Sequence, residues 1–155
     1  MSKKNPSVNF IFLSQRWEEE NLSWKEEILY ALAKATEVLG NNLSDQELSI
    51  VFADDKTLHE LNKTYRQKDK PTNVLSFPSE EEGELGDIIL AYETIMKESA
   101  ENGISPLHHT LHLIIHGFLH LLGYDHQEEA ETEHMEKTEI LILKHLNISN
   151  PYEDS

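Results

Sequence analysis

Apolar residues along this chain recur with a period of two in some segments and of three to four in others. Four segments alternate or are mostly apolar, which is typical of strands; they span residues 8–13, 47–53, 74–77 and 85–91. The last of these is apolar at most of its positions, so we expect it to be a central strand that is covered on both faces.

Helical periodicity marks about five further segments. A capping-box pattern starts the first at about residue 24 and Gly40 ends it, while Asp54 or Asp55 can cap a short second helix. The others are expected at about 93–101, at 106–122 behind a proline in the favoured first position, and at 127–146. The alternation predicts a small α+β or α/β layer of about four strands with helices packed against it.

Length and composition narrow the class of protein. At 155 residues the chain fits one domain over residues 1–155, with about 147–155 as a frayed tail. It has no cysteine, which excludes disulfides and thiol catalysis and suits a reducing compartment. Histidines interrupt the only long apolar stretch of the sequence, at about residues 111–122. The first residues lack the apolar core of a signal peptide. We therefore expect a cytoplasmic protein that does not enter a membrane.

The charge balance is strongly acidic, with a net charge of −16 from 29 acidic and 13 basic residues. Such a balance argues against a protein that coats nucleic acid, because phosphate binding normally needs a basic face, and no DNA partner is expected. Four of the basic residues fall within eight positions: Lys63, Arg66, Lys68 and Lys70. An arginine guanidinium there can hold a phosphodiester; the alternative interpretation is a solvated loop after a helix end, where cations are favoured in any case.

The segment HGFLHLLGYDH at residues 116–126 carries the candidate chemistry. His116 and His120 are four positions apart on a predicted helix, so two imidazoles on one side of it can bind one zinc ion. Gly123 lets the chain turn out of the helix, and His126 can return to the same metal as a third ligand. Three protein ligands leave one position for water, which is typical of a catalytic zinc site.

Other interpretations of these residues stay open. A series of histidines repeats every four positions from 108 to 120, so the helix face could be polar surface or a satisfied part of the core. His112 could replace one of the ligands, although His126 fits a closed site better. Asp125 could orient His126, assist proton transfer or be only a turn residue. Asp87 could tether the histidine helix or cap an edge of the core. The remaining histidines are interpreted as structural or solvent-facing: His59, His109, His134 and His145.

The histidine spacing is that of the metzincin proteases, HExxHxxGxxH, with one departure. Gly117 stands where the proteases have their glutamate general base. A peptidase without that carboxylate lacks the group that takes the proton from water. A zinc peptidase or amidase with its base elsewhere therefore remains only as an alternative.

The same segment resembles the signature of the YbeY family of bacterial rRNA-maturation endoribonucleases. Two further segments are similar to that family's pattern, LNKTYR leading to DKPTNVLSFP at 61–78 and LGDIIL at 85–90, so the resemblance covers about residues 50–126. It implies an α+β fold in which about five helices surround a small, four-stranded mixed sheet. It also implies one zinc ion per chain, held by His116, His120 and His126, and makes Arg66 the functional arginine.

The resemblance further implies an activity and partners. The activity is cleavage of single-stranded RNA in maturation of the 3′ end of 16S rRNA and in ribosome quality control, with Arg66 and the three histidines as the catalytic residues. The partners are the 16S rRNA precursor and the ribosome or a ribosomal protein, which we expect to present the RNA because the chain is acidic. A second alternative is a non-enzymatic ribosome-assembly factor whose zinc only holds the last turns of its helix.

Overall fold

The computed structural model describes residues 4–21, 24–66, 72–124 and 128–152. Within those ranges the chain forms four strands and six helices, and the predicted α+β fold is confirmed. None of the helices in these ranges is both long and apolar enough to span a membrane. In chain order the elements are β1 (Ser7–Phe12), α1 (Gln15–Asn21), α2 (Trp24–Leu39), β2 (Glu47–Ala53), α3 (Asp55–Arg66), β3 (Val74–Pro78), β4 (Glu84–Ala91), α4 (Tyr92–Asn102), α5 (Pro106–Leu121) and α6 (Glu129–His145).

The four described strands form one mixed sheet in the order β1-β2-β4-β3. β1, β2 and β4 run parallel, and β3 pairs with β4 in the antiparallel direction. β4 has a neighbour on each side, and Ile88, Ile89 and Leu90 are all buried. The prediction that this segment forms a central strand covered on both faces is confirmed.

Helices cover both faces of the sheet. On one face, Ile88 of β4 belongs to the main core together with Phe118 of α5 and with buried residues of α2 and α6. On the other face, Ile89 packs with Leu58 of α3. Side chains alternate along a strand, so these two neighbours point in opposite directions. α5 therefore lies on the larger core, against β3 and β4.

The sequence pattern predicts about five helices and misses α1, in which Trp17 packs into the core. Trp17 is fully buried, and its indole Nε1 donates a hydrogen bond to the Ala53 carbonyl at 2.8 Å. Its ring packs edge-on against Phe52 and Tyr92, with centroids 5.2 Å apart in each case. The segment QRWEEEN has no apolar periodicity, so a prediction from pattern has nothing to detect.

Candidate metal centre

Helix α5 presents a row of histidines because its ends are fixed and its other side is buried. The Ser105 hydroxyl accepts a hydrogen bond from the His108 amide at 3.0 Å, and Pro106 occupies the first turn. Beyond the other end, Gly123 has a φ of +100°, a conformation that favours glycine, and the chain leaves the helix there. Residues four positions apart then lie on one side of the helix: His112, His116 and His120.

The rings of His116 and His120 converge on one point. Their Nε2 atoms are 3.2 Å apart, and the rings are nearly perpendicular, at 79°. Two nitrogens bound to one tetrahedral zinc ion at about 2.0–2.1 Å lie about 3.3 Å from each other. The observed separation therefore fits two ligands of one metal ion. The His116 side chain is 27% exposed, so a further ligand or a substrate can approach the pair.

A buried carboxylate from α6 holds the opposite side of the His116 ring. Glu139 is fully buried, and its Oε1 accepts a hydrogen bond from His116 Nδ1. Its Oε2 lies 3.3 Å from His112 Nε2 and accepts a hydrogen bond from the Tyr152 hydroxyl at 2.5 Å. His112 is therefore a partner of the Glu139 carboxylate. This contact does not favour the alternative in which His112 replaces one of the metal ligands.

These contacts fix the ionisation of Glu139 and the tautomer of His116. Burial by itself raises the pKa of a carboxyl group, but hydrogen bonds from His112, His116 and Tyr152 outweigh it and lower the pKa of Glu139 to about 2. An ionised carboxylate only accepts hydrogen bonds. His116 in its neutral form therefore carries its proton on Nδ1 and turns the lone pair of Nε2 toward His120, as a metal ligand must.

The segment that follows α6 completes this arrangement. Tyr152 lies in the expected tail 147–155, of which the structure describes residues 147–152. Its ring is perpendicular to that of His112, with centroids 5.9 Å apart. Burial and the Glu139 carboxylate raise the pKa of Tyr152 above its ordinary value. Its hydroxyl therefore stays protonated near neutral pH and remains a hydrogen-bond donor to Glu139.

Gly117 lies where α5 comes closest to the sheet. A Cβ atom at this position would be 2.9 Å from Ser76 Oγ and 3.1 Å from Ile88 Cγ2, closer than the optimal separation of non-bonded atoms. A glutamate side chain would start directly against β3 and β4 and has no room there. This close packing is the physical reason why the chain departs from the protease pattern at this position.

Several of the other predicted site residues fall wholly or partly outside the described residues. His126, Asp125, Lys68 and Lys70 lie outside them. Arg66 is the last residue of α3, and its side chain is not among those described. In the described part of the chain, no three His, Cys, Asp or Glu side chains are grouped so that they could hold a metal ion. The structure thus brings together two of the three predicted ligands.

The backbone places Arg66 at the same end of the sheet as the histidine pair. The ring of Tyr65, its neighbour in α3, lies 6.0 Å from the ring of Phe77 in β3. Gly86 of β4 lies beside Phe77, and a Cβ atom on it would be 3.0 Å from Cδ2 of Leu121, the last residue of α5. The C-terminal ends of α3 and α5 therefore lie near the same end of β3, on opposite faces of the sheet.

Asp87 does not face the histidine helix. Ile88 lies against α5 at Gly117, and side chains alternate along β4, so Asp87 points to the face that α3 covers. The hypothesis that Asp87 tethers the histidine helix is therefore wrong. Partial burial raises the pKa of Asp87, and the charge of Glu84 adds a smaller contribution.

Sequence reasoning missed Glu139 and Tyr152, although the pattern of α6 contains a signal for the first. The buried positions of this helix are Met135, Glu139, Ile142 and Leu143, so a carboxylate occupies a place in the apolar periodicity. A charged residue is almost never fully buried unless it is paired, and a search for its partner would have led to the histidines. Tyr152 belongs to a short segment without periodicity, and the sequence holds no comparable signal for it.

Three relatives of this chain share the name of a family model that matches it. The family model described as endoribonuclease YbeY matches residues 12–147. An endoribonuclease YbeY from Bradyrhizobium diazoefficiens is 41% identical, and the match covers 99% of this chain and 90% of the relative. The protein of that name from Zymomonas mobilis is 42% identical, with 92% and 90% covered. A third, from Rhodopseudomonas palustris, is 40% identical, with 96% and 83% covered.

A solved structure shows a similar fold. The solution structure of TM1509 from Thermotoga maritima has a TM-score of 0.57 at 25% sequence identity, and the match covers 96% of each chain. The likeness therefore extends over nearly the whole length of both chains and is not confined to the histidine segment.

Proposed function

The chain belongs to the endoribonuclease YbeY family, and from this premise we propose that it is a zinc-dependent endoribonuclease. Its proposed substrate is single-stranded RNA at the 3′ end of the 16S rRNA precursor, and its proposed role includes ribosome quality control. One observation carries the proposal: Nε2 of His116 and Nε2 of His120 are 3.2 Å apart, the separation of two ligands of one metal ion.

We propose that one zinc ion per chain is held by His116, His120 and His126. The tautomer of His116 fits this role, because its Nδ1 donates a hydrogen bond to Glu139 and its Nε2 faces His120. His126 follows three residues after the turn at Gly123, which supports its return to the same point. When bound, zinc polarises a phosphoryl oxygen and lowers the pKa of a water ligand to about 7.

The chain's own residues set how the RNA is bound and attacked. Arg66 is proposed to hold the phosphodiester with paired N–H donors and to stabilise the negative charge of the pentacovalent transition state. Gly117 supplies no base, so the nucleophile is not activated by a side chain at that position. The nucleophile is either water or the ribose 2′-hydroxyl. A 2′,3′-cyclic phosphate on the product identifies the second, because direct attack of water on phosphorus cannot form it.

The acidic charge of the chain leads to a proposal about partners. A net charge of −16 opposes the binding of free RNA, since a polyanion is repelled by an acidic surface. We therefore propose that the ribosome or a ribosomal protein presents the RNA in the cytoplasm, and that the basic residues near Arg66 act only at short range. Screening limits such contacts to about 8 Å at physiological ionic strength.

The test measures cleavage of a labelled single-stranded RNA by zinc-loaded protein and by matched variants. We expect His116→Ala and Arg66→Ala to lower the rate by about 100-fold or more, the usual cost of removing one group that stabilises the transition state. The controls are His108→Ala, an exposed histidine of the same helix, and Lys56→Ala, an exposed cation of α3. Both controls should cleave within about twofold of the wild-type rate, and duplex RNA of the same sequence should be spared.

Other outcomes would select a different function. Cleavage that survives His116→Ala would contradict the proposal. Hydrolysis of peptides by the zinc-loaded protein, unaffected by Arg66→Ala, would establish the peptidase alternative instead. Zinc binding without turnover of RNA, presented free or on the ribosome, would establish the non-enzymatic assembly factor.

A further inference from the structure

We propose that Tyr152 and Glu139 form a positioning relay for the metal centre: the Tyr152 hydroxyl holds the Glu139 carboxylate, and the carboxylate holds the His116 ring. The inference rests on the proposed function, because it concerns the metal that His116 is proposed to bind. It adds two positioning residues, from α6 and from the segment after it, to a site otherwise built from α5 and the turn that follows.

The burial of Glu139 is the first observation that supports the relay. Among the described residues, it is the only Asp, Glu, Lys or Arg side chain that is buried, and it is 0% exposed. A buried charge of this kind contributes little net stability, because the cost of removing it from water offsets the gain from its partners. A role in the site explains better than a role in the core why a carboxylate occupies this position.

The contact with His116 is the second observation. A metal-binding histidine needs the lone pair of one ring nitrogen, and a carboxylate on the other nitrogen fixes the tautomer, holds the ring orientation and raises the basicity of the ligand. Glu139 Oε1 accepts from Nδ1 of His116, while Nε2 of the same ring lies 3.2 Å from Nε2 of His120. One ring nitrogen of His116 therefore binds the carboxylate, and the other remains available to the proposed metal ion.

The contact with Tyr152 is the third observation. Its hydroxyl donates to Oε2 of Glu139 at 2.5 Å, a shorter distance than the 3.3 Å between Oε2 and His112 Nε2. Among the described residues, loss of that hydroxyl would leave Oε2 with only the longer contact, so the carboxylate would be held less firmly against His116. The Tyr152 residue is 41% exposed, and Tyr152→Phe removes only its hydroxyl.

The same helix provides a matched control. His109 Nε2 lies 2.8 Å from Oε1 of Glu98 on α4, and Asn73 donates to the same oxygen at 2.9 Å. This is a second carboxylate–histidine pair on α5, but it does not involve His116 or His120. Glu98→Gln therefore has the same chemical effect on a histidine contact that is not part of the proposed metal site.

The experiment measures zinc affinity by competition with a chromophoric chelator at fixed pH and ionic strength. We expect Glu139→Gln to weaken zinc binding by about 10–100-fold, the usual effect of changing a group that orients a metal ligand. Tyr152→Phe should weaken it less, by about threefold to tenfold, because it acts through Glu139. Glu98→Gln should leave the affinity within about twofold of the wild-type value.

Two further readouts separate positioning from a general loss of stability. Long-range ¹H–¹⁵N NMR spectra of the metal-free protein should show His116 with its proton on Nδ1 in the wild type. A mixture of tautomers is expected in Glu139→Gln, because an amide can donate as well as accept. Thermal unfolding of the metal-free proteins should show that Glu98→Gln lowers stability as Tyr152→Phe does, without the change in zinc affinity.

The outcomes distinguish this relay from the proposed function. Unchanged zinc affinity in folded Glu139→Gln and Tyr152→Phe would overturn the relay and leave the zinc site in place. A wild-type protein that binds no zinc would overturn the proposed function itself. Should Glu139→Gln fail to fold, the zinc affinity and the His116 tautomer in Tyr152→Phe decide the matter, because that residue is half-exposed.

Discussion

At the scale of single residues, Gly117 determines how closely α5 approaches the sheet. Glycine inside a helix is ordinarily about 1 kcal/mol less favourable than alanine. Here, however, a Cβ atom would be 2.9 Å from Ser76 Oγ and 3.1 Å from Ile88 Cγ2. Close contact of the histidine helix with β3 and β4 therefore outweighs helix propensity, and it keeps His116 and His120 at a fixed distance from the sheet.

We predict that Gly117→Ala destabilises the metal-free protein by about 1–3 kcal/mol, the usual cost of overpacking a core. Gly117→Glu should be worse, because a longer side chain starts from the same crowded position. Urea unfolding gives both values. Ser76→Ala in the Gly117→Ala background should recover part of the loss, since it removes the nearest atom. A Gly117→Ala protein more stable than the wild type would show that α5 is not in close contact at this point.

The site could be predicted from the sequence only where its geometry is local. The spacing of His116 and His120 is set by one helix, and a period of 3.6 residues places both rings on one side. Glu139 lies 23 residues from His116 along the chain, and the contact depends on how α6 packs against α5. Tyr152 depends in addition on the course of the segment after α6, and no local rule of helix spacing specifies it.

At the scale of elements, helices α3 and α4 begin side by side and cap each other. Ala53 and Ala91 are paired at the ends of parallel β2 and β4, and one helix starts after each. The Asp55 carboxylate accepts hydrogen bonds from the Thr94 amide at 2.9 Å and from its hydroxyl at 2.7 Å. In return, Glu93 Oε1 accepts from the Asp55 amide at 2.9 Å. The free amides of both first turns are thereby satisfied in part.

Asp54 caps its own helix, and this leads to a prediction about pH. Its Oδ1 accepts from the Thr57 amide at 2.9 Å, and hydrogen bonds from the Thr57 side chain and backbone lower the pKa of Asp54. We expect Asp54→Ala to cost about 1 kcal/mol near neutral pH. Because the folded pKa is lowered, this contribution is complete above the ordinary carboxyl pKa and is lost as pH falls through the folded value.

Urea unfolding at several pH values measures that difference. The gap in stability between wild type and Asp54→Ala should shrink as the pH is lowered below about 4. Asp54→Asn serves as the control, because asparagine is also a good cap but does not ionise. A gap that stays constant down to acid pH would mean that the charge of Asp54 does not contribute to the cap.

The boundaries of most elements could be predicted because apolar periodicity is a local property. Residues 47–53 form β2 as predicted, and the helix expected at 106–122 is α5, Pro106–Leu121. The central position of β4 followed from its apolar run, since a strand covered on both faces has no polar side. α1 could not be found in this way, because its buried Trp17 lies in a polar segment without apolar periodicity.

At the scale of the whole molecule, the acidic charge predicts weak binding of free RNA. Four of the 13 basic residues lie between positions 63 and 70. Each phosphate contact with a single strand contributes about −0.7 to the slope of log K against log salt, so four cations give a slope no steeper than about −3. Fluorescence anisotropy with a labelled single-stranded RNA measures this slope. The salt concentration is varied between about 50 and 200 mM, the range over which phosphate contacts weaken. Tight binding that salt does not weaken would contradict the need for a presenting partner.

The most direct measurement is the metal content of untagged protein, with cleavage of single-stranded RNA assayed on the same samples. Wild type, His120→Ala and the exposed control His108→Ala are compared, and elemental analysis identifies the metal, because histidine sites also accept nickel and copper. We predict about one zinc ion per chain in wild type and control, and the loss of both zinc and cleavage in a folded His120→Ala protein. Wild-type protein without bound metal, or RNA cleavage that persists after the metal is removed, would contradict the zinc site and the activity assigned to it.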